Sequence, residues 1–224
     1  MLQGSRRPLT EDEMARRVAQ EIRDGQCINL GAGMPSLVTH YIPEGIWAMI
    51  HVEHGILGVG GVAQEPIKDR DFMGLGRQSV IPAPGAACFS SIESFRMLRG
   101  GHIDLSALGA YQVSEKGDLA NWLLPGECPL VGGAMDIVGH VKRLIIMMSH
   151  VTKKGKPKIV KECTLPVTAY GVVNMIVTDL AVIDVTPGGL LLQELAPGYT
   201  AEEIQAITEP KLKVSHELKE ILAK

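Results

Sequence analysis

Short apolar runs that meet glycine and alternate with helical segments recur along the first 150 residues, and this alternation constrains the fold more than any other feature. Cys27-Ile28-Asn29-Leu30 is closed by Gly31-Ala32-Gly33, and Ile46 to Val52 leads into Glu53-His54-Gly55. Ile103 to Ala110 follows Gly100-Gly101, and Leu144 to Met148 follows the helix that Gly132-Gly133 opens. Strands alternating with helices specify a layered α/β/α fold around an open, mainly parallel sheet. The capping pair Thr10 and Glu13, followed by Met14, Val18 and Ile22, predicts a helix over about 11–24 that Gly25 stops. Pro35 suits the first turn of a helix running to about Tyr41, and Ser90 to Leu98 reads as another. Residues 62–88 carry many turn residues and read as a long loop with short strands.

From about residue 153 the pattern changes. Leu180–Val185 and Leu190–Leu195 flank Thr186-Pro187-Gly188-Gly189 as a β-hairpin. Thr200 and Glu203 repeat the capping pair before a last helix, and the tail from Glu209 is charged and amphipathic. Residues 1–224 read as one domain with no internal repeat. At 46% hydrophobic residues and a net charge of −3, the chain has the composition of an ordered protein. A pI near 6.2 gives no general attraction to nucleic acid or an anionic membrane surface. The longest apolar runs fall far short of the ~20 residues of a membrane span. Cys27, Cys88, Cys128 and Cys163 form no CxxC pair, which fits a reduced, cytoplasmic setting without a zinc knuckle.

Glu53 is the first candidate for chemistry. It follows an apolar strand and precedes the glycine stretch Gly58-Val59-Gly60-Gly61, so it stands at the carboxyl end of a strand, where open α/β sheets bind ligands. A partly desolvated carboxylate there suits a nucleophile or general base; a surface glutamate in a turn gives the same local pattern. The spacing His51-x-Glu53 matches half of the zinc deaminase signature, but no Pro-Cys-x-x-Cys follows. On a strand His51 and Glu53 share a face and His54 takes the other, so the histidines read as structural and no metal site is expected. Gly31-Ala32-Gly33-Met34-Pro35 places a glycine turn between strand and helix, the geometry that offers backbone N–H groups to an anion. It lacks the third glycine of the dinucleotide fingerprint, and no strand ending in an acid is evident at the required distance. Gly132 and Gly133 offer amides in the same way, and both turns also read as places of close packing. By themselves these residues reach an α/β enzyme with an anion-binding turn and a carboxylate at the sheet edge.

Longer motifs go further. Gly100-Gly101-His102-Ile103-Asp104-Leu105, the stretch from Gln112 to Trp122, Gly132-Gly133-Ala134-Met135-Asp136 and Glu162-Cys163-Thr164-Leu165-Pro166-Val167-Thr168 occur in one order and spacing. Together they resemble the B subunits of family I 3-oxoacid coenzyme A transferases, from about Thr10 to Glu194. The family's usual Ser-Glu-Asn-Gly reads here Val52-Glu53-His54-Gly55, keeping the glutamate and the glycine; Gly58 to Gly61 lacks the family's proline. The resemblance implies the CoA-transferase fold, with Glu53 as nucleophile in ping-pong transfer of CoA through a glutamyl-CoA thioester. It further implies Gly132 and Gly133 as oxyanion donors and Gly31, Ala32, Gly33, Met34 and Pro35 as contacts for CoA. CoA enters as substrate, with no other cofactor and no metal. Members of this length are half-enzymes, so an A subunit is the implied partner. Succinyl-CoA is the implied donor, and acetoacetate or 3-oxoadipate the acceptor. The changed neighbours of Glu53 leave two alternatives, a non-catalytic acyl-CoA-binding subunit and an acyl-CoA hydrolase.

Overall fold

The computed structural model describes residues 6–65, 67–74 and 78–221. In chain order the strands are β1 (Cys27–Leu30), β2 (Met49–Val52), β3 (Ile56–Val62), β4 (Val80–Cys88), β5 (Leu105–Gly109), β6 (Gln112–Ser114) and β7 (Leu119–Ala120). They continue with β8 (Leu144–Met148), β9 (Ile159–Val160), β10 (Met175–Thr178), β11 (Ala181–Thr186), β12 (Gly189–Leu195) and β13 (Lys213–Glu220). Ten of them form one sheet in the order β13-β12-β11-β10-β8-β5-β1-β2-β3-β4, and β7-β6-β9 form a small second sheet. The five strands from β10 to β2 run parallel, with antiparallel pairs to either side.

Strand periodicity divides the interior into two cores. Along β8, Ile145 and Met147 enter one core while Leu144, Ile146 and Met148 enter the other. The first core is covered by α1 (Glu11–Ala19), through Met14, Ala15 and Val18, and by the 3₁₀ helix Met34–Tyr41, through Val38. The second takes Leu98 of α2 (Ser91–Arg99), Ile137 of α3 (Ala134–Val138) and Ile204 of α4 (Ala201–Ala206). This is the open α/β/α sheet expected from the alternating runs.

Several boundaries differ from the sequence reading. Helix α1 ends at Ala19 rather than near residue 24, because the next amides take i→i+3 bonds, Glu21 to Val18 O and Ile22 to Ala19 O. Within the supposed loop over 62–88, residues 66 and 75–77 lie outside the described residues, and Val80–Cys88 is a nine-residue strand. The stretch Gly58-Val59-Gly60-Gly61 belongs to β3, paired with β4. A Cβ on Gly58 or Gly60 would stand 3.1 Å from the Cα of Ala86 or Ala83, so glycine there permits two backbones to approach. The charged tail is also a strand, β13, lying parallel to β12 at the sheet edge. Both edges carry residues that discourage further pairing, the prolines Pro82 and Pro84 on β4 and alternating charges on β13. Among the described residues no helix is long and apolar enough to cross a membrane.

His150, at the end of β8, is buried between Thr178 Oγ1 (3.0 Å) and Thr208 Oγ1 (2.8 Å), joining β10 to the segment after α4. Burial pushes its pKa down to about 4. The unfolded chain takes up this proton near pH 6.5 and the folded chain does not, so stability falls as pH drops between those values. Urea unfolding is expected to lose about 3 kcal/mol from this group between pH 6.5 and 4. His150→Gln should flatten that slope; an unchanged slope would place the acid sensitivity elsewhere.

Candidate active site

The register of three adjacent strands sets a polar row. Asn29 of β1 lies opposite His51 of β2 and opposite Ser106 of β5. Their neighbours Ile28, Leu30, Ile50, Val52, Leu105 and Ala107 all enter the first core. A period of two therefore turns Asn29, His51 and Ser106 to the opposite face, toward α2, where all three are buried. Ser106 Oγ donates to Asn29 Oδ1 (3.3 Å), which leaves the amide hydrogens of Asn29 Nδ2 for His51 Nδ1 (3.4 Å), His51 O (3.3 Å) and Glu53 Oε2 (3.5 Å). With Nδ1 accepting, the proton of His51 sits on Nε2 and goes to Ser94 Oγ of α2 (2.8 Å), whose own hydrogen reaches Val52 O (3.4 Å). Burial holds the pKa of His51 below its ordinary value against the pull of Glu53, and the ring stays neutral.

Glu53 is the first residue after β2, half-buried, on the face that His51 shares. Its turn is closed by the Gly55 N–H on Val52 O (2.9 Å), with Gly55 at φ +122°. A Cβ there would collide with the carbonyl oxygen of Phe89, and the Phe89 N–H itself bonds Gly55 O (3.0 Å). Gly55→Ala combines left-handed backbone strain with overpacking and is expected to cost about 2–5 kcal/mol in urea unfolding. A loss below about 1 kcal/mol would show that this turn is not constrained as described. His54 points elsewhere: it is exposed, with Nε2 at 2.6 Å from Met73 O.

Glu53 opens into a cleft of about 640 Å³ formed at the carboxyl ends of β1, β2, β5 and β8, the edge where open α/β sheets take ligands. Gly31, Ala32, Met34 and Pro35 line it from one side and Gly132 and Gly133 from the other, while Gly33 does not line it. The two turns are not equally bare. Gly31 N–H is committed to Ala107 O (2.9 Å) in the sheet, so the amides of the first turn without an acceptor among the described residues are those of Ala32, Gly33 and Met34. The amides of Gly132 and Gly133 have no acceptor among the described residues. A Cβ on Gly133 would stand 3.4 Å from Glu53 Cγ and 3.3 Å from Phe95 Cζ, so this backbone lies directly against the carboxylate side chain. An acid at the end of the strand next to the glycine turn is therefore present, contrary to the sequence reading; the fingerprint's third glycine is still missing.

Sequence reading missed Asn29, Ser94 and Ser106 of the polar row, and Lys158, which also lines the cleft. A polar residue inside the apolar runs Cys27–Leu30 and Ile103–Ala110 was the available signal for Asn29 and Ser106. Ser94 is set by the packing of α2, and Lys158 comes from a remote segment, with no local signal for either.

Fold and cleft together define an α/β protein whose ligand site lies at the strand ends. Residues 11–206 match the coenzyme A transferase family, and the chain belongs to it. It is therefore a transferase chain. The B-type chain of a probable succinyl-CoA:3-ketoacid coenzyme A transferase of Bacillus subtilis is 47% identical over 203 residues, 90% of this chain and 94% of that protein. The beta chain of the acetate CoA-transferase of Escherichia coli K12 is 44% identical (93% of this chain, 95% of that protein). The B-type chain of the 3-oxoadipate CoA-transferase of Pseudomonas putida is also 44% identical (89% and 94%). An acyl-CoA transferase apoenzyme from Escherichia coli O157:H7 shares the fold, with a TM-score of 0.75 at 21% identity over 99% of this chain and 45% of that one.

Proposed function

We propose that this chain is the B-type half of a CoA transferase that moves CoA between carboxylic acids through a thioester on Glu53. The reading rests above all on the half-buried Glu53 side chain lying against the Gly133 backbone in one cleft, where the Gly132 and Gly133 amides have no acceptor among the described residues. Glu53 attacks the thioester carbonyl of an acyl-CoA donor, forming an acyl-glutamyl anhydride and expelling CoA thiolate. The thiolate attacks the glutamyl carbonyl, forming the glutamyl-CoA thioester and releasing the donor acid as its carboxylate. An acceptor carboxylate then attacks this thioester, giving a new anhydride and thiolate. The thiolate takes the acyl group and regenerates the free carboxylate. Every step is an exchange at a carbonyl with no net proton uptake, and no redox partner enters the balance.

Each attack places negative charge on a carbonyl oxygen, for which the amides of Gly132 and Gly133 are the donors proposed here. Those of Ala32 and Met34 are assigned to the CoA arm. The neutral His51, fixed by Ser94, and the Asn29 amide hold the position of Glu53 without taking its charge. The names of the relatives support succinyl-CoA as donor and a 3-keto acid or 3-oxoadipate as acceptor, and acetoacetate is the 3-keto acid proposed here.

An A subunit completes the site. Leu130, 76% exposed, lines the cleft, and Met135, 46% exposed, follows the lining residue Ala134 in the chain; both are apolar surface that a partner would cover. Mixing the chain with its A subunit should create transfer from succinyl-CoA to a 3-oxo acid. Equal activity from this chain alone would refute the half-site reading. Release of CoA without an acceptor acid would mark a hydrolase instead.

A further inference from the structure

We propose that Lys158 is a specificity residue that binds the far carboxylate of a dicarboxylic acyl group while its other carboxyl reacts at Glu53. The inference rests on the transferase reading above and names the class of acid that it serves.

Three charged side chains line the cleft: Glu11, Glu53 and Lys158. Lys158 is its one cation among the described residues, and its ammonium has no hydrogen bond or ion pair there. The backbone beside it is fixed on both sides, its N–H on His150 O (3.2 Å) and its carbonyl receiving the Val113 N–H (3.0 Å). Half-burial disfavours the charged form of an ammonium that has no bonded partner, and an anion bound in the cleft would offset that cost. Burial brings its pKa down to about 8, opposed by the attraction of Asp179.

The position favours the end of a substrate remote from the reacting carbon. Lys158 borders the cleft beside Ser149 and Met148 at the end of β8, whereas Glu53 follows β2. Strands β8, β5, β1 and β2 are consecutive in the sheet, so about 14 Å separates the outer two. Lys158 and Glu53 line the same cleft without forming an ion pair, and a spacing of three strands between their ends leaves room for a short acyl chain. A single ammonium also matches a single carboxylate in charge. The phosphates of CoA carry several charges and need more cations than this cleft supplies.

The test uses the chain with its A subunit and compares acids of similar length, succinate against butyrate, as acceptors and as CoA thioesters. Lys158→Met should lower kcat/KM for the dicarboxylic substrates 10- to 100-fold, the range expected for one charged hydrogen-bond partner. It should leave the monocarboxylic ones within about two-fold, and Lys158→Arg should restore much of the loss. The wild-type KM for succinate should rise above pH 8 as the ammonium loses its proton, and that rise should vanish in Lys158→Met. Asp179 attracts Lys158, the carbonyl of His150 holds its backbone, and Tyr111, Glu11 and Glu53 line the same cleft; all of them remain in the variant. Equal losses for both classes of acid, or a loss confined to the KM of CoA, would overturn the inference. Unfolding in urea and binding to the A subunit identify a variant that has merely misfolded; Lys158→Gln then repeats the comparison. If the wild-type pair transfers no CoA, the transferase reading fails instead, so the two failures are separable.

Discussion

Glu53→Gln should reduce CoA transfer by the assembled enzyme on the order of 10⁴-fold or more while leaving the fold intact, as removal of a nucleophile does elsewhere. The amide keeps the size of the side chain and its contact with Asn29 Nδ2 through the remaining carbonyl oxygen. It cannot form an anhydride, so loss of activity with an unchanged urea midpoint isolates chemistry from structure. The neutral state of His51 matters here, because the ring neither protonates Glu53 nor competes with the thioester carbonyl for it. A residual rate within ten-fold of the wild type would remove Glu53 from the reaction.

Gly133→Val should lower kcat by about 10²-fold, the cost typical of displacing a reacting group by about 1 Å. The backbone at Gly133 has φ −82°, which any residue adopts, so the substitution acts through space alone. Its Cβ would stand 3.4 Å from Glu53 Cγ and 3.3 Å from Phe95 Cζ, and the two further methyl groups must push against one of them. Gly133→Ala adds only the first of these contacts and should fall between valine and the wild type. Steady-state kinetics of the series, with acyl-CoA and acid varied separately, would read the trend. A valine variant with unchanged kcat would mean that this backbone does not border the reacting carbonyl.

The parts of the fold legible in sequence are those fixed by local chemistry. Thr10 with Glu13 and Thr200 with Glu203 form complete capping boxes, each with both reciprocal bonds. Glu53 is at a strand end because an apolar run must stop where a turn begins. The β4 segment, Val-Ile-Pro-Ala-Pro-Gly-Ala-Ala-Cys, has weak strand propensity and two prolines, which only an edge position tolerates. Its partner β3 needs glycines for reasons visible only once β4 is beside it. The row Ser106–Asn29–His51 depends on the parallel register of three strands separated by long stretches of chain. The commitment of the Gly31 amide to Ala107 likewise belongs to the sheet and not to the turn. Lys158 reaches the cleft only because β9 joins the small sheet beside β6.

The most direct test of covalent transfer through Glu53 is mass spectrometry of the assembled enzyme after brief incubation with succinyl-CoA and no acceptor acid. A CoA adduct is expected on the peptide containing Glu53, lost on adding acetoacetate and absent in Glu53→Gln. Full turnover without any adduct on that peptide, or an adduct that persists in Glu53→Gln, would contradict it.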